Sequence, residues 1–336
     1  MLPFIDDILK YDSLSIVGLE KNTGKTECLK YVLNRLPVDS RRIAVTSIGI
    51  DGETVDQVTR TQKPEITLPQ GMYFATSEAH YKLRRLVSEL VDVSDENTSL
   101  GRVVTARALT TGKVLLSGPP SAAGLKRWMG QMRRLGVDLT VVDGALSRMS
   151  SASPAVSRSM ILATGAAFSP NVDTLVSKTA FVVQLINLPL AGENLRAAFD
   201  TLDRGTWWLD DEGALHRLST TTSLAPSIRL DEMKGCRAIF VAGALVDSFV
   251  EKLQAGKVAR DVEIVVRDFT KIFITPQRLR LLLKAGARLT VLQKSKLLAV
   301  TVNPTSPGGF TLDSAAVCHR LAETIGLPVY DLLKAS

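Results

Sequence analysis

Short apolar runs alternate along the chain with apolar stripes at helical spacing. Residues 13–17 form the first run, and after a polar loop apolar residues recur every three or four positions from Leu29 to Leu36. Short runs of this kind are typical of buried strands, and such a stripe is typical of one helix face. Repetition of the two patterns predicts an α/β fold with a mostly parallel sheet flanked by helices.

The same patterns predict the other elements. Ser121 and Thr275 are typical helix caps, and Pro276 suits the first turn of a helix. Predicted helices cover residues 29–36, 78–91, 125–135, 172–183, 275–286 and 313–326. Predicted strands cover residues 13–17, 43–48, 71–76, 102–109, 113–117, 139–142, 160–164, 237–241, 262–266, 289–292 and 297–302.

An irregular stretch divides the chain. It holds Trp207 and Trp208, an acidic turn and a threonine-rich run. We therefore expect a first α/β domain over residues 1–200, a connecting subregion over residues 201–235 and a second α/β portion over residues 236–336. A length of 336 residues suits one large or two medium domains.

Composition narrows the function classes. Hydrophobic residues make up 45% and charged residues 22% of the chain, as in ordinary globular proteins. The 3 cysteines have no paired spacing, which argues against a disulfide framework or a structural zinc site. Acidic residues near the start, and no apolar stretch of roughly 20 residues, predict a cytoplasmic protein without a membrane span.

The net charge of +7 comes from small basic groups that are interleaved with acidic residues. Such groups are typical of solvated helix faces, so binding to nucleic acid is not expected. A phosphate-rich nucleotide or an acidic protein surface is the better partner for the positive surplus.

The loop over residues 18–26 carries the most specific chemistry. It reads Gly-Leu-Glu-Lys-Asn-Thr-Gly-Lys-Thr and lies between the first predicted strand and helix. This is the context of a P-loop, in which glycine lets the backbone wrap an anion and the helix N-terminus adds positive potential. Lys25 supplies a cation for the terminal phosphate, and the Thr26 hydroxyl completes a magnesium shell. The predicted nucleotide-binding residues are Gly18, Glu20, Lys21, Asn22, Thr23, Gly24, Lys25, Thr26 and Glu27.

Five residues separate Gly18 from Gly24, whereas the usual P-loop pattern has four. The longer spacing resembles the loops of dethiobiotin synthetases and their relatives, a group that includes MinD-like ATPases. MinD-like loops carry an extra lysine where Glu20 stands here, and Lys21 follows one residue later. A role of Lys21 across a subunit interface, and a homo-oligomer, are left open. A glycine turn with a chance Gly-Lys-Thr is the alternative interpretation.

Acidic residues follow two of the predicted strands. Asp51 and Glu53 come after the second strand, and Asp143 ends a later one. Because the carboxyl ends of parallel strands meet at one edge of a sheet, we expect these side chains to share Mg²⁺ with Thr26. Asp51 is also expected to act with Lys25 in catalysis, near the attacking water. Plain turn chemistry is the alternative, since Asp-Gly is a favoured turn pair.

Asn303 and Pro304 follow the last long predicted strand. Related P-loop proteins often contact the base at this place, so Asn303 is predicted to bind the nucleobase. A loop residue without ligand contact is the alternative. The sequence has no Asn-Lys-x-Asp motif for the base, so ATP is expected and GTP remains open.

Several strings together resemble one family. They are residues 15–26, residues 47–53 and residues 141–148, and the resemblance extends through residues 301–307. They are similar to the smaller, P-loop ATPase subunit of lysine 5,6-aminomutase reactivases. The resemblance implies a chaperone-like ATPase that exchanges damaged cobalamin in an aminomutase dependent on adenosylcobalamin and pyridoxal phosphate. It also implies a larger, MutS-like ATPase subunit as partner, and a place in lysine degradation.

Two other function classes stay open. A small-molecule ligase or kinase of the dethiobiotin synthetase type phosphorylates a carboxylate. Such an enzyme is expected to have positioned lysines near Asp51, where only Lys63 stands. A nucleotide-gated regulator with little turnover is the other class.

Overall fold

The computed structural model describes residues 4–48, 64–145, 156–218, 233–256, 258 and 260–334. Contacts divide the chain into two compact units. The first comprises Met1–Ala180 and Ser295–Ser336, and the second comprises Phe181–Lys294. The second unit is therefore an insertion in the sequence of the first.

The bounds of the elements are as follows. The helices of the described residues are α1 (Ile5–Ile8), α2 (Lys25–Leu33), α3 (Glu78–Lys82), α4 (Ala122–Arg134), α5 (Val172–Ile186), α6 (Glu193–Phe199), α7 (Asp247–Ala255), α8 (Pro276–Lys284) and α9 (Ser314–Ile325). The strands of the same residues are β1 (Ser13–Gly18), β2 (Ile43–Ser47), β3 (Ile66–Leu68), β4 (Tyr73–Ser77), β5 (Ser88–Thr98), β6 (Gly101–Ala108), β7 (Gly112–Val114), β8 (Leu139–Ala145), β9 (Ser159–Gly165), β10 (Thr206–Leu209), β11 (Leu215–Arg217), β12 (Ala238–Val241), β13 (Leu245–Val246), β14 (Glu263–Val266), β15 (Ile272–Phe273), β16 (Arg288–Val291), β17 (Lys296–Asn303) and β18 (Val329–Tyr330).

The first unit is built on a nine-stranded sheet with the order β18-β17-β9-β1-β8-β2-β4-β6-β5. The strands from β18 to β4 in this order run parallel. β6 runs antiparallel to both of its neighbours, β4 and β5. The predicted α/β architecture with a large, mostly parallel sheet flanked by helices is confirmed, and β1 lies near the middle of the sheet.

Alternation along the strands sends side chains to two hydrophobic cores. Ile43 and Val45 of β2 belong to the same buried cluster as Leu29 of α2. Ala44, between them, belongs to the cluster that contains Trp128 of α4. Successive strand residues point to opposite faces, so α2 and α4 cover opposite faces of the sheet.

Two predicted helix starts are confirmed. Ser121 Oγ accepts a hydrogen bond from the Gly124 N–H at 3.0 Å, and Thr275 Oγ1 accepts one from the Arg278 N–H at 3.2 Å. Each hydroxyl satisfies an amide that the first helical turn leaves without an intrahelical partner. Pro276 follows in the first turn of α8, as predicted.

The second unit has a five-stranded sheet with the order β11-β10-β12-β14-β16. β12, β14 and β16 run parallel, and β10 is antiparallel to β11 and β12. Phe199 of α6 stacks on Phe240 of β12 with ring centroids 5.1 Å apart. Both rings are fully buried and belong to the core of this unit.

The predicted helix over residues 78–91 is wrong beyond its first turn. The chain forms the short α3 and then β5, the outermost strand of the first sheet. Leu83, Val87 and Leu90 have a helix-like spacing, but each is more than half exposed. Pairing of β5 with β6 supplies the backbone hydrogen bonds instead, because tertiary pairing overrides a weak local preference.

The predicted division into residues 1–200, 201–235 and 236–336 differs from the two compact units. The stretch expected to connect two domains supplies β10 and β11 to the sheet of the second unit. β17 and β18 lie in the predicted C-terminal portion but extend the sheet of the first unit. A division in sequence order cannot describe this arrangement, because β9 precedes the inserted unit in the sequence and its partner β17 follows it.

The helices are short relative to the thickness of a bilayer. The longest described helix, α5, has 15 residues, whereas a membrane span needs roughly 20 apolar residues. Within the described ranges, no helix meets both the length and the hydropathy that a membrane span requires.

Candidate functional site

The loop over residues 18–26 lies at the carboxyl end of β1, and α2 follows it. β1 pairs in parallel with β8 on one side and with β9 on the other. Every residue of β1 is buried, so the strand gives the loop a fixed base. The predicted context of strand, loop and helix is confirmed.

The loop is held in a compact form by contacts within itself. Thr23 is buried, and its hydroxyl donates to the Glu20 carbonyl oxygen at 2.8 Å. A Cβ at Gly18 would lie 2.9 Å from Thr23 Oγ1, so Gly18 is required by this close approach. Asn22 and Gly24 have φ angles of 62° and 87°. Glycine adopts this left-handed region freely, and asparagine adopts it more readily than most residues.

Helix α2 begins without a side-chain cap. Gly24 is the N-cap residue, and Lys25 and Thr26 are the first helical residues. A glycine cap offers no acceptor to the amides of the first turn, so they remain directed toward the start of the helix. The helix dipole adds positive potential at this end. Loop and helix start therefore have the arrangement of an anion-binding site.

Lys25 forms an ion pair with Asp143. Nζ and Oδ1 are 2.9 Å apart, and the two side chains are 27% and 22% exposed. β8 brings Asp143 beside Ile16 of β1 and Ser47 of β2, so the predicted convergence of strand ends is confirmed for this residue. Oδ1 is buried, and among the described residues it has no partner with hydrogen-bond geometry. The attraction to Lys25 is therefore electrostatic.

Thr26 and Asp143 are the described members of the predicted magnesium site. Asp51 and Glu53 lie outside the described residues. Within the part of the chain that the structure describes, no group of three or more His, Cys, Asp or Glu side chains is placed to hold a metal ion. A hydroxyl and one carboxylate nevertheless suit Mg²⁺, which is usually held by one or two carboxylates with water and phosphate oxygens. The residues present fit Mg²⁺ bound together with a phosphate.

An open pocket adjoins the loop. It is lined by Thr23, Gly24, Glu27, Thr301, Val302, Asn303, Asp331, Leu332 and Leu333. The loop residues and Asn303 were predicted from the sequence, whereas residues 331–333 were not. The sequence signal near them is the short apolar run Val329–Tyr330, which forms β18 and extends the sheet beside β17.

The remaining predicted loop residues are exposed. Glu20 Oε1 accepts a hydrogen bond from the Lys21 N–H at 3.0 Å. Glu27 forms an ion pair with Lys30 at 2.8 Å, which holds its carboxylate along α2. These side chains surround the site without entering the core.

The turn after β7 also reaches this edge of the sheet. The Gly118 N–H donates to Ser47 Oγ at 3.4 Å, and a Cβ at Gly118 would overlap Thr46 Oγ1. Ser117 Oγ lies 2.7 Å from His80 Nδ1, and both side chains are buried. Because this cluster is buried, it supports the strand ends and is not itself open to a ligand.

Cys28 lies one turn into α2 and is fully buried. Burial raises the pKa of its thiol to about 12, the Asp143 carboxylate adds to the rise, and the Thr301 hydroxyl opposes it. The thiol therefore stays protonated at neutral pH, and a protonated thiol is a poor nucleophile.

Replacement of Gly24 by alanine is expected to destabilise the protein. The new Cβ would lie 2.9 Å from Asn303 Cβ at a φ of 87°, and a left-handed conformation costs a non-glycine residue about 1–3 kcal/mol. Chemical denaturation should show a free energy of unfolding reduced by about that amount. Gly130→Ala in α4 is the matched control, since its added Cβ would have no described atom within 4 Å other than its chain neighbours and the backbone of its own helix. Equal losses in the two variants would contradict the prediction.

The raised pKa of Cys28 makes stability depend on pH in the alkaline range. The folded chain holds the thiol proton more tightly than the unfolded chain. The contribution is therefore complete below the ordinary thiol pKa of about 8.5 and is lost as pH rises toward about 12. Cys28→Ala is expected to make the fall in unfolding free energy above about pH 9 shallower by about 1.4 kcal/mol per pH unit. Denaturant titrations at several pH values measure this slope, and identical slopes for wild type and variant would refute the assignment.

No protein-family model matches the chain, and neither the curated proteins nor the solved structures compared with it give a significant match. The features that bear on ligand binding are the left-handed residues of the loop, the glycine-capped start of α2 and the Lys25–Asp143 pair.

Proposed function

We propose that the chain binds a nucleoside triphosphate, with the phosphates on the loop over residues 18–26, and hydrolyses it. The observation that carries the proposal is the coincidence at one strand end of left-handed loop residues, a glycine-capped helix start and a partly buried lysine–aspartate pair. Together they supply amide donors, positive helix potential and a cation. This is the function of a P-loop nucleoside triphosphatase, with ATP as the proposed nucleotide and GTP as the alternative.

Lys25 is proposed to bind the terminal phosphate oxygens. Its charge is balanced by Asp143 at 2.9 Å in the structure. A triphosphate carries several negative charges, so it competes with Asp143 for the ammonium group. Thr26 and the carboxylate of Asp143 would hold Mg²⁺, and Mg²⁺ supplies neutralisation of phosphate charge when bound.

Asp51 is proposed to orient the attacking water, and Glu53 to assist at the metal. Support comes from the chain order, since both follow β2 by a few residues. The last residue of β2, Ser47, lies beside Asp143 in the sheet register. The carboxyl end of β2 thus lies at the same edge of the sheet as the loop.

The use of hydrolysis is proposed from the resemblance to the smaller subunit of lysine 5,6-aminomutase reactivases. On this proposal, the chain acts with a MutS-like larger subunit and drives exchange of damaged cobalamin in the aminomutase. A ligase or kinase of the dethiobiotin synthetase type would use the same phosphate loop. The second compact unit favours the first alternative, because its own five-stranded sheet adds surface beyond what a nucleotide needs.

Substitution of Lys25 by alanine is expected to reduce the rate of ATP hydrolysis by about 100-fold or more, because a charge-stabilising group of the transition state is lost. Release of inorganic phosphate from MgATP by the purified full chain measures the rate. Lys30→Ala is the matched control, since Lys30 lies on the same helix and pairs with Glu27 on its surface. Hydrolysis by Lys25→Ala at the wild-type rate would overturn the proposed role of the loop.

One reconstitution experiment distinguishes reactivation of an aminomutase from phosphorylation of a small carboxylate. An aminomutase inactivated by damaged cobalamin is mixed with this chain, a MutS-like subunit, ATP and fresh adenosylcobalamin. The reactivase proposal expects recovery of mutase activity that requires ATP and is lost with Lys25→Ala. Phosphorylation of a small carboxylate by the chain alone, without rescue of the mutase, would instead favour the ligase or kinase.

A further inference from the structure

Asn303, the last residue of β17, reaches the phosphate loop from the far end of the chain. Its Nδ2 donates to the Asn22 carbonyl oxygen at 2.9 Å, across 281 positions of sequence. Its Oδ1 accepts from the Thr305 N–H at 3.2 Å. A carbonyl can only accept and an amide N–H can only donate, so these two partners fix which way the side-chain amide of Asn303 points.

The backbone of Asn303 is fixed as well. Its carbonyl oxygen accepts from the Ala166 N–H at 2.9 Å. Gly165 stands opposite Asn303 in the register of β9 and β17, and a Cβ at Gly165 would overlap the Asn303 carbonyl. On the loop side, a Cβ at Gly24 would lie 2.9 Å from Asn303 Cβ. Two glycines thus leave the space that lets Asn303 approach the loop.

We propose that Asn303 is a positioning residue that holds the phosphate loop in its anion-binding form. Asn22 has a left-handed φ of 62°, a conformation that asparagine adopts more readily than most residues but less freely than glycine. In a planar trans peptide the carbonyl and the following N–H point in opposite directions. By holding the Asn22 carbonyl toward β17, Asn303 therefore directs the Thr23 N–H away from β17. This role rests on the proposed binding of a nucleoside triphosphate.

The proposal differs from a contact between Asn303 and the nucleobase. Asn303 also lines the pocket beside the loop, so a base bound there would touch the same side chain. Inorganic tripolyphosphate distinguishes the two roles, because it has phosphates and no base. A positioning residue affects the binding of both ligands, whereas a base contact affects the nucleotide alone.

The test measures dissociation constants of MgATP, MgGTP and magnesium tripolyphosphate by titration calorimetry, with the full chain. Loss of one hydrogen bond is expected to weaken tripolyphosphate and the preferred nucleotide by the same factor, about tenfold, in Asn303→Ala. Asn303→Asp keeps the size but places a carboxylate against the Asn22 carbonyl, so it is expected to bind more weakly than Asn303→Ala at neutral pH. Lowering the pH protonates the new carboxyl and restores a donor, so the affinity of N303D relative to N303A should rise.

Asn34→Ala is the matched control, because Asn34 is exposed at the far end of α2 and its loss is expected to leave all affinities unchanged. Thermal unfolding of each variant shows that it is folded before titration. Weaker nucleotide binding with unchanged tripolyphosphate binding in Asn303→Ala would overturn the positioning role while the proposed function stands. Unchanged affinity for both ligands would overturn it too. A wild-type chain that binds none of the three ligands would overturn the proposed function, and the positioning role with it.

Discussion

Parallel pairing of β1 with β8 and β9 is the constraint on which the sheet and the site both depend. It buries β1 completely and points the carboxyl ends of β1, β8, β9 and β17 to one edge. The chain that leaves β1 must turn within a few residues to start α2 on one face of the sheet. The tight turn explains why glycine suits positions 18 and 24, where an added Cβ would lie 2.9 Å from a neighbouring side chain. The loop and the strand ends therefore meet at one edge of the sheet because the strands run in the same direction.

Strand direction also brings the opposite charges of Lys25 and Asp143 together. Lys25 starts α2 and Asp143 is near the end of β8, and each is only about a quarter exposed, at 27% and 22%. A single charge at such depth is poorly solvated, so each group lowers the cost of burying the other.

Local signals allowed much of this to be predicted from the sequence. The caps at Ser121 and Thr275, the strand before the loop and the convergence of Asp143 with Lys25 all follow from short-range patterns and the rule for parallel strands. The prediction of a helix over residues 78–91 is wrong beyond α3, because the backbone of β5 pairs with β6. The contact of Asn303 with Asn22 could not be predicted, since it depends on the order of β17, β9 and β1 in the sheet. Residues 331–333 were missed because the short apolar run before them, which forms β18, does not by itself show that the strand lies beside β17 at the pocket.

The position of Asn303 has a consequence for the order of synthesis. Residues 18–26 are synthesised before β8 and β9, which flank β1, and the partner of the Asn22 carbonyl is made only after the inserted unit. During that interval the Asn22 carbonyl lacks the side chain that donates a hydrogen bond to it. A nascent chain therefore forms this contact late, after the second unit has been synthesised.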